Sequence, residues 1–206
     1  MRNSQDNQAL SPGAQMMEVF GFQVPISDYY LHRGHAWAVL EDTGLVRVGM
    51  DDFSQKVLGP ADEVKLPAVG MLYYQDHICM ALLKQGQKAS FLAPVDGAIA
   101  AVNPKVRENP SLIHDDPYGE GWLLRVRPTN LQRNLANLFY EKDNADWIYQ
   151  ESHRLMNLME TKVGVTVPDG GTFIDDIYSH YPQLGWRRLV QEFLLTGLTK
   201  DWKKRS

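Results

Sequence analysis

The stretch His77-Ile78-Cys79-Met80-Ala81-Leu82-Leu83-Lys84-Gln85-Gly86-Gln87-Lys88-Ala89-Ser90-Phe91-Leu92-Ala93-Pro94-Val95-Asp96-Gly97 holds two apolar runs separated by a short polar turn. Runs of this length bounded by turn residues predict two strands, His77–Lys84 and Ala89–Ala93, paired as a hairpin. Gly86 suits a tight apex, and Gln85 and Gln87 flank it with polar side chains. If the strands pair about Gly86, Lys84 and Lys88 come near one another across the ladder, which is mildly unfavourable unless something acidic visits. The tip (Lys84, Gln85, Gly86, Gln87, Lys88) is therefore either a docking point for an acidic partner or a solvated turn that keeps an exposed hairpin soluble.

Outward from this hairpin the same texture runs from about residue 28 to 128. Further strands are expected at His35–Glu41, Leu45–Val48, Glu63–Leu66, Gly97–Val102 and Trp122–Val126. Their separators include Asp42-Thr43-Gly44, Gly59-Pro60 and Pro67-Ala68-Val69-Gly70. Many short strands with frequent turn signals imply a small barrel or sandwich. Met50–Leu58 interrupts them as a short helix, since Phe53, Val57 and Leu58 share a face.

From Pro128 the period changes. Thr129 or Asn130 can cap a helix whose apolar positions are Leu131, Leu135, Leu138 and Phe139. Asn144 can cap a second, carrying Trp147, Ile148, Leu155, Met156, Leu158 and Met159. Pro168-Asp169-Gly170-Gly171 breaks it, and Thr172–Thr196 resumes as two helical patterns split near Pro182 and Gly185. The apolar area of Trp147, Trp186, Phe193, Leu194 and Leu195 has to bury against the β unit or another chain. The division expected is a flexible N-terminal segment (1–24), a β domain (25–130) and a helical extension (131–206).

Composition narrows the function classes. Of 206 residues 44% are apolar and 22% charged, as in an ordinary globular protein. A net charge of −4 offers no field for a nucleic-acid backbone. The longest apolar run, Ile78–Leu83, is too short to cross a bilayer. No basic, then apolar, leader follows Met1, and the single Cys79 cannot form an internal disulfide, so a cytoplasmic location is expected.

Five landmarks in order resemble the glycine cleavage system H-protein family. His35-Ala36-Trp37 stands where the family has His-Glu-Trp, and Val46–Gly59 is similar to its strand, short helix and Leu-Gly turn. Leu66-Pro67-Ala68-Val69-Gly70 matches Leu-Pro-x-Val-Gly, and Ala93-Pro94-Val95-Asp96-Gly97 followed by Val102-Asn103 resembles Ser-Pro-Val-Ser-Gly…Val-Asn. Asp116-Pro117-Tyr118-Gly119-Glu120-Gly121-Trp122-Leu123 matches Asp-Pro-Tyr-Gly-x-Gly-Trp-Leu. The resemblance covers about half the chain. It implies an α+β fold with a mainly β core, the lipoyl/biotinyl-type barrel-sandwich hybrid, here with a C-terminal helical extension.

In that family lipoate is carried on a lysine at a hairpin tip, within Glu-Ser-Val-Lys-Ala. Counted forward from the Val of Leu-Pro-x-Val-Gly and backward from the Pro of Ser-Pro-Val, the lysine position falls on Gly86 both times. The family's acid and lysine are absent, so the chain resembles a divergent member lacking the lipoyl-lysine motif. Lipoate is attached as an amide and needs a primary amine, which glycine does not offer. Lys84 and Lys88 are the nearby substitutes, each about 6.6 Å along a strand from the apex.

Other sites are weaker. His32 and His35 have i, i+3 spacing without a helix or a cysteine or glutamate cluster, so no metal is expected. Cys79 reads as a buried small hydrophobe. No Ser-His-Asp elbow, Walker loop or Gly-x-Gly-x-x-Gly after a strand is present, which predicts no catalysis by the chain itself.

Three functions follow. The first is a non-catalytic, non-lipoylated H-protein-like module acting as an adaptor or scaffold for other proteins, with no cofactor. The second is a lipoyl carrier of the glycine cleavage type, shuttling an aminomethyl group or reducing equivalents, modified at Lys84 or Lys88. The third is an interaction protein that works through its C-terminal helices. None of them involves nucleic acid or membrane insertion.

Overall fold

Residues 14–166 and 171–196 are described by a computed structural model. The first element is a hairpin, β1 (Met16–Val19) and β2 (Phe22–Pro25), turned at Phe20-Gly21. Strands β3 (Tyr30–Leu31), β4 (Ala36–Leu40) and β5 (Val46–Met50) follow as an antiparallel meander. Helix α1 (Asp52–Leu58) is capped by Asp51, whose carboxylate accepts the Ser54 N–H at 2.9 Å. Then come β6 (Glu63–Lys65), β7 (Leu72–Tyr73), β8 (Ile78–Lys84), β9 (Gln87–Leu92) and β10 (Gly97–Val102). Short helices α2 (Pro104–Glu108) and α3 (Leu112–Asp115) lead into β11 (Leu124–Pro128).

Beyond residue 130 the chain forms α4 (Leu131–Leu135), β12 (Phe139–Tyr140) and the 22-residue α5 (Lys142–Val163). Three short pieces complete the described residues: α6 (Ile177–His180), a 3₁₀ turn Pro182–Leu184, and α7 (Trp186–Leu189) running into a π turn at Val190–Leu194.

Two sheets make up the β unit. One has seven strands in the order β12-β3-β4-β5-β11-β10-β7, and the other three, β6-β8-β9. Neither is closed. The inward residues Val46, Val48, Leu124, Val126 and Ile99 of the first share one hydrophobic core with Met80, Leu82 and Phe91 of the second. The result is the expected α+β architecture with a mainly β core.

The boundaries differ from the expectation in two places. Residues 16–25 are not a loose lead-in: Phe22 and Val24 alternate with exposed Gln23 and enter the core. The flexible segment expected over 1–24 thus gives way to structure from residue 14 onward, and residues 1–13 lie outside the described residues. Leu138-Phe139 does not extend a helix from Leu131. Phe139-Tyr140 pairs with β3 instead, Tyr140 stacking on Tyr30 at 4.3 Å and Phe139 on Trp147 at 4.8 Å. Tertiary pairing overrides the local helical period there.

The helical half is not a separate body. Trp147, Leu155, Trp186, Leu189 and Phe193 belong to the same core as the strands. Asn144 sits inside the first turn of α5 rather than capping it, and its amide donates to the carbonyls of Pro25 and Tyr29. The break predicted at Pro168-Asp169-Gly170 and the basic tail Lys200–Arg205 lie outside the described residues.

Candidate functional site

The β8–β9 hairpin closes with a two-residue turn. Lys84 pairs with Gln87, leaving Gln85 (φ +50°) and Gly86 (φ +77°) at the apex, the left-handed pair that a type I′ turn requires. No primary amine stands there, so the apex residues do not fit a lipoyl amide.

The same register corrects the relation between the two lysines. Lys88 lies opposite Leu83, not Lys84, and so points to the other face of the ladder. Lys88 is exposed, while Lys84 is 6% exposed. The ammonium of Lys84 donates to Asp176 Oδ1 at 2.6 Å and to the Leu58 carbonyl at 3.0 Å. It is neither a free amine nor a neighbour of the second lysine, and no shared two-lysine tip exists for an acidic visitor.

What covers Lys84 is the segment 171–196, here termed the strap. Asp176 caps α6 by accepting the Ser179 N–H and holds Lys84 at the same time. Burial is the largest influence on this carboxyl and raises its pKa, but the hydrogen bonds from Lys84 and Ser179 together outweigh it and leave the pKa lowered. Directly opposite Lys84, Gln87 Nε2 donates to the Tyr178 hydroxyl at 2.6 Å. The Trp186 indole N–H donates to the Lys88 carbonyl at 3.0 Å and its ring meets Tyr178 edge-on. Trp186, Leu189, Phe193 and Leu194 are buried, each side chain contributing roughly 1.5–3 kcal/mol of apolar burial. Gly59, at the end of α1 with φ +76°, makes room for the ion pair: a Cβ there would lie 2.1 Å from Asp176 Oδ1 and 2.3 Å from Lys84 Nζ.

A second polar cluster ties α5 to the β unit. His35 is fully buried between the rings of Phe53 (4.4 Å) and Trp147 (4.7 Å). Its Nδ1 is 2.7 Å from Asp51 Oδ2 and its Nε2 3.7 Å from Glu151 Oε2. Glu151 in turn takes both oxygens to Arg154 Nη1, at 2.6 and 2.7 Å. Burial acts most strongly on the imidazole and lowers its pKa, but Asp51 and then Glu151 overcome it and raise the value to about 9. The ring thus has a carboxylate on either side, Asp51 within hydrogen-bond distance and Glu151 beyond it.

At His32 the pKa moves the other way. Nδ1 accepts the Gly34 N–H at 3.0 Å, so Nε2 carries the proton toward Asp76 Oδ1, also 3.0 Å away. Burial, the main cause, lowers its pKa. The two histidines therefore serve separate carboxylates, and among the described residues no cluster of three metal-type ligands occurs. Cys79 is buried and its thiol pKa is pushed up to about 12 by burial, as a packing residue should be. Among the described residues no helix is long and apolar enough to cross a membrane.

Asp176 and Glu151 escaped the sequence reading. The helical period flagged the stripe around Glu151 as core, but nothing local marks which carboxylate will reach a lysine or histidine far away in sequence.

Comparison with known proteins bears on the β unit and α5. The family profile described as Glycine cleavage H-protein matches residues 29–151. The glycine cleavage system H protein of Alkalilimnicola ehrlichii is 34% identical over 129 residues, 63% of this chain and 98% of that protein. The probable glycine cleavage system H protein of Thermococcus kodakarensis is 33% identical over 133 residues, 65% of this chain and 98% of that protein. A crystal structure of a glycine cleavage system H protein from Mycobacterium marinum is similar at 32% identity and a TM-score of 0.47, covering 50% of this chain and 85% of the other. The match ends at residue 151, so most of α5 and the whole strap lie outside the family pattern. The family profile spans more than half of the chain and agrees with the landmarks and the two sequence relatives: this chain belongs to the glycine cleavage H-protein family, whose members are lipoyl carriers and not themselves catalysts.

Proposed function

We propose that this chain is a member of the H-protein family that does not carry lipoate and acts as an adaptor for partner proteins. The observation that carries this reading is the state of the hairpin: glycine at the apex, and the nearest amine, Lys84, held by Asp176 and the Leu58 carbonyl. Acylating Lys84 would require breaking an ion pair in a mostly buried setting and lifting the strap. A chain in which swinging-arm chemistry has no attachment point retains the rest of the family fold, and a rigid β platform suits protein recognition.

The alternative, a carrier modified at a displaced lysine, now falls mainly on Lys88, which is exposed but lies on the strand past the apex. The third reading, partner binding through the C-terminal helices, has less to work with, because Trp147, Leu155, Trp186, Leu189 and Phe193 are already buried in the core shared with the strands. The test is peptide mapping of the full chain after co-expression with a lipoate ligase and lipoate. The adaptor reading expects every lysine peptide unmodified, and a lipoylated Lys84 or Lys88 peptide would replace it with the carrier reading.

A further inference from the structure

The seven-stranded sheet has an outer face that nothing in the described structure covers at one end. Directly paired residues of antiparallel strands point to the same side, so Leu72, Ala98 and Arg127 form one row across β7, β10 and β11. Ala101, Arg125, Arg47 and Val39 form the next, in which Arg47 and Val39 are buried and only the Ala101–Arg125 end is open. The opposite side of these strands, through Ile99, Leu124 and Val126, faces the core.

This face is basic although the chain as a whole is acidic. Arg125 donates through Nε to both oxygens of Glu41, at 3.1 and 3.0 Å, and rests on the Trp122 ring at 4.8 Å. Arg47, 3% exposed, lies directly opposite Arg125, and its Nε is 3.8 Å from the same carboxylate, without a hydrogen-bond partner. Glu41 thus answers two guanidiniums, and Arg127, two residues along from Arg125, is exposed beside them. At the edge Leu72 is 61% exposed, separated from Arg127 only by the small side chain of Ala98.

We propose that this face docks a protein segment presenting carboxylates beside apolar side chains. The acidic groups would meet Arg127 and the outer edge of Arg125, and the apolar ones would cross Ala98 to Leu72. Two inter-strand steps separate Arg127 from Leu72, about 10 Å, which an extended chain spans in roughly three residues. The proposal builds on the adaptor reading by naming the surface and the chemistry of the partner. Its success or failure is read separately from the lipoylation state, which mass spectrometry decides alone.

The probe is a short peptide with a glutamate pair followed, about three residues on, by a leucine pair, titrated into the full isotope-labelled chain and followed by amide NMR. The expected result is shifts confined to Leu72, Ala98, Arg125, Arg127 and their neighbours, absent when lysines replace the glutamates. Binding should weaken about tenfold in Arg127→Glu and in Leu72→Asp, both at exposed positions where the fold is insensitive. No shifts, shifts on another face, or an equal response to the lysine peptide would overturn the proposal. Undiminished binding to either variant would do the same.

Discussion

Lys84 and Asp176, 92 residues apart in sequence, meet at 2.6 Å beneath the strap. The contact joins the hairpin that defines the H-protein family to a segment the family pattern does not include. It also involves a third residue, since a Cβ at position 59 would crowd both groups. Where a carrier needs a projecting amine, this chain turns its nearest lysine inward and uses it to fasten its own C-terminal half.

That fastening has an energetic signature. Asp176→Ala leaves a buried ammonium with the Leu58 carbonyl as its remaining partner, and should cost about 3 kcal/mol. Lys84→Met should cost less, about 1 kcal/mol, because Asp176 is partly exposed and keeps its cap on Ser179. Urea unfolding of the two variants measures this order, and equal or reversed losses would show that the ion pair does not hold the strap.

Reactivity should separate the two lysines. Lys88 is exposed and should be acylated rapidly by a water-soluble amine reagent, with Lys84 protected until the strap opens. Asp176→Asn should raise the Lys84 rate and leave the Lys88 rate unchanged. Peptide mapping against time gives both rates, and comparable labelling of the two lysines in the native chain would contradict the buried placement of Lys84.

Stability should also fall on the alkaline side. His35 has a folded pKa raised to about 9 against an unperturbed value near 6.5. Its charged form is stabilised only in the folded state, so the contribution is complete below about pH 6.5 and disappears as pH rises through about 9. The size is on the order of 3 kcal/mol at about 1.4 kcal/mol per pH unit. Asp51 and Glu151 are the carboxylates that face the ring, and Arg154 compensates Glu151 from behind. Glu151→Gln should therefore move the decline to lower pH, and His35→Gln should abolish it. A urea midpoint independent of pH between 6.5 and 9.5 in the native chain would refute the raised pKa.

The strand-rich half was largely readable because its punctuation is local. Gly59, Gly70 and Gly86 adopt backbone angles that turns demand, and the strands between these turns fall within a few residues of their expected limits. The 3₁₀ turn at Pro182–Leu184 and the restart at Trp186 also sit where Pro182 and Gly185 place them. What sequence patterns could not supply were contacts at long separation. The β12 strand exists because Tyr30 and Trp147 are there to stack on, and the hairpin at Met16–Pro25 because α5 covers it. The turn has two residues, Gln85 and Gly86, where symmetry about Gly86 implies three, and that one-position difference places Lys84 and Lys88 on opposite faces. The partner of Lys84 was invisible for the same reason as that of His35: a carboxylate on a distant helix carries no mark of its destination.

The measurement that bears most directly on the empty apex compares the native chain with Leu83→Glu combined with Gly86→Lys, each incubated with lipoate ligase, lipoate and ATP and mapped by mass spectrometry. A lysine at φ +77° costs roughly 1 kcal/mol, which the fold tolerates. The native chain should stay unmodified, and the double variant should gain a lipoyl amide at position 86. Lipoylation of the native chain, or a double variant that folds and stays unmodified, would contradict this.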